Sequence, residues 1–473
     1  MKRLFLILGC LFLLHSISFS QSGHEIKIKI DNFEENELYL GYYLQDKQYL
    51  LDTTKLGDDG FFTFSGDGIE PGGLYLIVMP PNNQYFQLLI DKNSQRFSVH
   101  CKNPLNPSDG MVIKGSEDNK LFYEYLAYLG AKRPEAAELQ KEMDAPDTSE
   151  RMKKNIQEKL DKINDEVISY QADIIEKYPG TLTASVIKSN LPLDMPDDLE
   201  GDDQADIDLK KWQYAKAHYF DNLDLTDPRM LRTPFLFQRV DHYVSKMTVQ
   251  HPDSVNQSLY YILEKMKPSE ETFKYYLIHF LNQYAKSKIV GFDAVYVFLA
   301  KNYYATGQAP WTEEEQLTKI VDNANRLEPL LIGKVAPNIK MQTRDNKEIW
   351  LHDFQASYTV LFFWDPECGH CKKSMPGMIE FYEQYKGKGV EVFAVCTKLY
   401  DELQSCWDTV DEKGMGVWFN TVDPYNRSRF RNIYDIKTTP QIYILDSKKE
   451  IVSKRIGAEQ LPDVMDQILS ILE

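Results

Sequence analysis

The chain has 473 residues, 43% hydrophobic and 26% charged, which is more than one hydrophobic core can organise, so two or three domains are expected. A formal net charge of −17 argues against nucleic acid or an anionic membrane surface as the main partner. Six cysteines are too few for a disulfide-stapled exported scaffold, so the fold must stand on its apolar core.

The chain opens with Lys2 and Arg3, an apolar run from Leu4 to Leu14 broken by Gly9 and Cys10, and then Ser18-Phe19-Ser20. A basic start, a short apolar stretch and small residues describe a secretory signal peptide, residues 1–20, cut after Ser20. The run is short for a membrane span, and an uncleaved N-terminal anchor is the alternative. No later stretch is long and apolar enough to cross a bilayer, so the expected location is the periplasm or cell envelope.

Residues 24–115 alternate apolar and polar positions, as in Ile26, Ile28 and Ile30 against Lys27 and Lys29, with turns at Asp58-Asp59-Gly60 and Pro80-Pro81-Asn82-Asn83. Seven or eight short strands with such punctuation predict an antiparallel β-sandwich. From Ser116 to about residue 330 the spacing becomes helical, and an all-α domain is expected over 116–330. Ser116 can cap its first helix, and a long amphipathic segment covers 149–177. Pro252 and Pro268 stand at later helix starts, and Thr312 with Glu315 reads as a capping box. No chemistry is legible there.

Residues 331–473 read as α/β. "YTVLFFW" and "VEVFAVC" are continuous apolar runs, as in strands covered on both faces, and a helix over 369–387 joins them. "QIYILD" and "IVSKRIG" form a hairpin, and a helix over 460–472 closes the chain. Where the first strand meets its helix stands "WDPECGHCKKSMP", with Gly369 and His370 between Cys368 and Cys371.

A cysteine at a helix N-terminus faces unpaired N–H groups and the positive end of the helix dipole, which favours its thiolate. A second thiol three residues on shares a hydrogen bond, and a protonated His370 would add positive charge; each effect lowers the thiol pKa. Cys368 is therefore the candidate nucleophile, and Cys371, one helical turn deeper, the resolving thiol. His370 also has the plainer reading of a solvated turn residue. No further ligands stand nearby to make a zinc site, and Lys372 after Cys371 rules out a haem-attachment motif. A peroxidatic cysteine would want Thr or Ser at Asp365 and Pro at Leu361. A purely structural disulfide would be odd in so tight a loop. Metal and cofactor are accordingly expected to be none. Cys396, ending an apolar strand, and Cys406, on the next helix, read as two separate half-buried thiols, with a second disulfide as the alternative.

With "GKVAPNI", "LFFWDPECGHCKKSMP", "VEVFAVC" and "TTPQIYILD" in view, residues 331–473 resemble the TlpA/ResA-like thiol:disulfide oxidoreductases of the bacterial envelope, which have a thioredoxin-like fold. The resemblance implies a cis-proline at Pro440 whose neighbour Thr439 pairs with a client strand and which bars metal from the thiols. It also implies a motif-flanking tryptophan at Trp364, so that Thr439, Pro440 and Trp364 are candidate substrate-binding residues. Pro376 matches the proline that kinks the active-site helix. Two positions depart from the pattern: Phe362 replaces the buried Asp of thioredoxins, and Ser374 a Glu common in ResA-like proteins, leaving the proton acceptor for Cys371 unassigned. The β-rich and helical modules upstream are similar in layout to exported Bacteroidetes proteins.

The resemblance implies protein thiol or disulfide clients, a membrane electron donor and work as a reductase. The Gly-His dipeptide is that of protein disulfide isomerase, whose potential stands about 90 mV above that of thioredoxin, roughly 4 kcal/mol for two electrons. That leans toward an oxidase or isomerase. A different class is also open: an envelope binding protein whose thioredoxin-like domain is a non-catalytic scaffold.

Overall fold

The structure, a computed structural model, describes residues 23–196 and 198–470. The leader expected over residues 1–20 lies outside the described residues. Among the described residues no helix is long and apolar enough to cross a membrane. The chain divides into two compact units, one running to Tyr243 and the other starting at Val244. The region expected as one all-α domain over 116–330 is thus shared between two packing units.

The first unit opens with eight strands: β1 (His24–Ile30), β2 (Glu37–Leu44), β3 (Lys47–Lys55), β4 (Phe62–Gly66), β5 (Gly73–Met79), β6 (Gln84–Ile90), β7 (Arg96–Cys101) and β8 (Met111–Lys114). They form two four-stranded sheets, ordered β4-β1-β7-β8 and β3-β2-β5-β6. The two-residue period is realised: Ile26, Ile28 and Ile30 are buried while Lys27 and Lys29 point outward. Pairing is antiparallel except between β1 and β7, which run parallel because the chain traverses the second sheet before returning beside β1.

Helices α1 (Glu117–Met143), α2 (Glu150–Lys177), α3 (Leu182–Ser189), α4 (Gln204–Ala217) and α5 (Pro234–Ser245) follow. Ser116 caps α1 by accepting from the Asn119 N–H. The wholly buried Asn119 side chain then accepts from Leu89 N–H and donates to Leu89 C=O, tying α1 to β6. Asp118 accepts from the N–H groups of Leu182 and Thr183 at the start of α3.

The second unit adds α6 (Pro252–Met266), α7 (Glu270–Ala285), α8 (Asp293–Leu299) and α9 (Glu314–Leu327) to a seven-stranded sheet. Pro252 occupies the first turn of α6 as expected, whereas Pro268 precedes the Ser269 cap of α7 and lies outside that helix. The capping box at Thr312 and Glu315 is corrected: α9 starts at Glu314 behind Glu313, with no side-chain cap.

The sheet comprises β9 (Lys340–Gln342), β10 (Glu348–Trp350), β11 (Tyr358–Trp364), β12 (Val390–Cys396), β13 (Phe419–Val422), β14 (Gln441–Leu445) and β15 (Ile451–Lys454). Their order is β10-β9-β13-β12-β11-β14-β15, with β12 central and β11 beside it, parallel to β12 and antiparallel to β14. Helices α10 (Gly369–Tyr385), α11 (Leu403–Lys413), α12 (Phe430–Ile433) and α13 (Leu461–Ser470) complete it.

The run "YTVLFFW" is apolar throughout because both faces of β11 are covered. Val360, Phe362 and Trp364 join one core with Met375, Met378 and Phe381 of α10. Leu361 and Phe363 join the other with Phe393, Tyr434 and Tyr443. Helix and sheet are also joined by charge in this unit. Lys454, 2% exposed, pairs with Asp293 at the start of α8 and donates to the Leu330 carbonyl. Asp435, buried just before the Thr439-Pro440 loop, faces Arg326 of α9 at 3.4 Å and Arg455 at 3.5 Å.

Removing one partner from a buried pair leaves an uncompensated charge. Asp293→Ala is therefore expected to destabilise the second unit by about 3 kcal/mol, read as a lower urea midpoint of its unfolding transition. An unchanged midpoint would count against the pair as a structural joint.

Candidate active site

The cysteine pair sits at the C-terminal end of β11, where parallel α/β sheets present their sites. Cys368 is the N-cap of α10, with extended backbone at φ −70° and ψ 119°. A cap in this conformation aims its side chain at the free N–H groups of the first turn. The Cys371 N–H accordingly donates to Cys368 Sγ at 3.4 Å. Cys368 is half-buried, and its thiol donates to the Thr439 carbonyl at 3.1 Å. Partial burial works against the thiolate. The Thr439 hydroxyl, the Cys371 N–H and thiol, and the His370 N–H outweigh it, so the net shift of the Cys368 thiol is downward.

Cys371 is fully buried among Trp364, Met375 and Met378, and its thiol is pushed up to about 12, chiefly by burial. The Asp365 N–H and the Thr439 hydroxyl oppose that rise, and neighbouring Cys368 adds to it. Two chemically identical side chains three residues apart are thus split by environment: one half-exposed and shifted toward the thiolate, one buried and shifted toward the thiol.

Thr439 and Pro440 lie together opposite the pair, joined by a cis peptide bond and both half-buried. The His370 ring is exposed; what His370 offers Cys368 is its backbone N–H, and its carbonyl accepts from the Ser374 hydroxyl at 3.0 Å. Trp364 is 1% exposed, a core residue beneath the motif rather than a surface a client could touch, which corrects its place among the candidate substrate contacts. Phe362 is equally buried, so no carboxylate lies at that position beneath the pair.

Three further residues shape the site. Asp365 accepts the Cys368 N–H on its carbonyl at 3.2 Å and the Glu367 N–H on its carboxylate at 2.8 Å, and its own N–H reaches Cys371 sulfur. Thr397 donates its hydroxyl to Asp365 at 3.3 Å. The Lys398 ammonium meets Glu367 at 2.7 Å, Glu402 at 3.2 Å and Asp365 at 3.7 Å. The sequence carried a signal for the last two: they follow directly on β12, the strand paired in parallel with β11.

The expectation of two separate thiols at Cys396 and Cys406 is also corrected. They form a disulfide, with Cα atoms 6.2 Å apart. Cys396 ends β12 on the face that carries Val392 and Ala394 into the core, and Cys406 turns with Val410 from α11 into that same core. The motif cysteines and Cys101 are free thiols. Among the described residues no group of three or more His, Cys, Asp or Glu is placed to hold a metal ion.

Residues 332–454 match the AhpC/TSA family model, and residues 24–122 and 206–327 match two domains of unknown function, DUF4369 and DUF5106. The thiol-disulfide oxidoreductase ResA of a Bacillus cereus strain is 31% identical over 147 residues, covering 30% of this chain and 80% of that protein. The ResA protein of Bacillus anthracis is 29% identical over 153 residues, with the same coverage of 30% and 80%. Among solved structures, a domain of a possible thiol-disulfide isomerase from Cytophaga hutchinsonii is 40% identical, covering 30% of this chain and 97% of that one, with a TM-score of 0.29.

The two thiols should alkylate very differently. Iodoacetamide at pH 7 is expected to label Cys368 first, with a rate that rises with pH through a midpoint below that of an ordinary cysteine. Cys371 should lag by roughly a thousandfold from its thiolate fraction alone, and label only on unfolding. Equal labelling of both, mapped by peptide mass, would refute the split.

Proposed function

The chain belongs, through its C-terminal domain, to the ResA-like thiol-disulfide oxidoreductases, and from that membership we propose that it is an exported disulfide reductase acting on protein clients. The observation that carries the reading is the split between Cys368, whose half-exposed thiol is shifted toward thiolate, and Cys371, buried behind it. Cys368 thiolate attacks one sulfur of a client disulfide, forming a mixed disulfide and releasing the other client sulfur as a thiolate that takes up a proton. Cys371 then gives up its proton and attacks Cys368 sulfur. The internal disulfide forms and the second client thiol leaves. Two electrons pass to the client, so a dithiol donor must reduce the pair again, and we place that donor in the membrane.

The basic and apolar start of the chain supports export. So does the buried Cys396–Cys406 bond, since a stable structural disulfide is at home in an oxidising compartment. Within such a compartment a reductase needs a supply of electrons, and the reversed direction, oxidation or isomerisation of clients, uses the same atoms.

The test uses the full-length chain, because the Lys454–Asp293 and Asp435–Arg326 pairs draw on helices that a shorter fragment would lose. With dithiothreitol as electron source it should reduce insulin disulfides. Cys368→Ser should lower that rate at least a hundredfold, and Cys371→Ser should accumulate a mixed disulfide visible on a non-reducing gel. Equal rates for the Cys368→Ser variant and the unsubstituted protein would sink the enzymatic reading. A reduction potential well above about −200 mV would reverse the direction.

A further inference from the structure

We propose that Lys398 is a positioning residue for the thiol chemistry, fastening the turn that holds both sulfurs and supplying the positive charge against which the Cys368 thiolate forms. This rests on the reading of Cys368 as the nucleophile.

The geometry has two parts. The first is mechanical. Asp365 touches both sides of the reaction, through its carbonyl to the Cys368 N–H and through its N–H to the Cys371 sulfur. Whatever holds Asp365 therefore holds the sulfurs. Its carboxylate is gripped by the Thr397 hydroxyl and Lys398, both from the segment just beyond β12. That segment is anchored in turn: Thr397 N–H donates to the Trp364 carbonyl at 2.9 Å, and Arg431 donates to the Thr397 carbonyl at 2.9 Å. Lys398 also grips Glu367, the residue beside the nucleophile, at 2.7 Å. One ammonium thus clamps the Asp365–Cys368 turn against the end of the neighbouring strand.

The second part is electrostatic. The Lys398 side chain is only 9% exposed, yet three carboxylates surround it, and its hydrogen bond to Glu367 holds its pKa up against burial. Among the described residues, Asp365, Glu367 and Glu402 have no other cation within ion-pair distance. Three negative charges share one positive charge. Ionising Cys368 adds a further negative charge next to Glu367. Without Lys398 that thiolate would form beside uncompensated carboxylates, and like charges disfavour it. Lys398 does not touch either sulfur; it acts through Asp365 and Glu367.

The test reads the pH dependence of Cys368 alkylation in the full-length protein, which requires no client. Lys398→Met should raise the midpoint and lower the alkylation rate at pH 7 by about three- to tenfold. Lys398→Arg, which keeps the charge, should restore most of that rate. Glu402→Gln removes one negative charge without touching the motif turn, and should move the midpoint the opposite way by a smaller amount. An ordinary structural ion pair would alter the melting temperature and leave the midpoints in place. Coincident midpoints for Lys398→Met and the unsubstituted protein would overturn the proposal, as would equal displacement in the Met and Arg variants. Should Lys398→Met fail to fold, Glu402→Gln decides: a midpoint that stays or rises overturns it. Failure of the unsubstituted protein to reduce insulin would instead refute the function proposed above, so the two failures are distinguishable.

Discussion

The chemistry of this molecule hangs on one cap interaction: the sulfur of Cys368 accepting the N–H of Cys371 at the start of a helix. Helix N-termini leave donors without intrahelical partners, and here a thiol takes the place that Ser or Asp would fill. A sulfur in that position is drawn toward the thiolate by the same groups that make the helix start there. Residue three of the helix then falls one turn deeper, under the apolar cover of Trp364 and Met375. Helical geometry, with that cover over Cys371 and the Thr439 hydroxyl facing Cys368, separates the two cysteines into a reactive and a guarded thiol.

Everything around the pair serves to keep that cap in register. β11 is buried on both faces and ends at Trp364, so the chain has one place to turn. The turn from Asp365 to Cys368 is closed by its own backbone and by the Asp365 carboxylate, and is pinned laterally by Thr397 and Lys398. The Cys396–Cys406 disulfide closes the segment that carries both of those residues. On the other side, Thr439 brings a carbonyl and a hydroxyl to the sulfur. The loop that carries it follows Asp435, whose partners include Arg326 of a helix outside the sheet. Helices that looked like a separate spacer in sequence are thereby part of what steadies the reactive loop.

Much of the site was readable because it is local. The spacing of Cys368 and Cys371, their place between an apolar run and an amphipathic segment, and the Thr439-Pro440 pair need only neighbouring residues to interpret. The β-strand periods of residues 24–115 were equally plain, as were the helices from Ser116 and Ser149. Trp364 was harder. The family resemblance put it among the client contacts, but the parity of β11 turns it inward with Val360 and Phe362. His370 shows the same limit: its sequence position suggested a ring acting on sulfur, whereas its N–H is the group that reaches it.

Residue order was enough to specify the redox motif, the succession of strands and helices around it, and the β-then-α texture upstream, because each depends on periods and caps spanning a few residues. Packing in three dimensions brings Cys396 to Cys406, seats Lys398 among three carboxylates and divides the helical region between two packing units. Those outcomes require segments distant along the chain to arrive at one point in space. Such meetings are set by how the sheet and helices stack, and no local pattern of residue types records them.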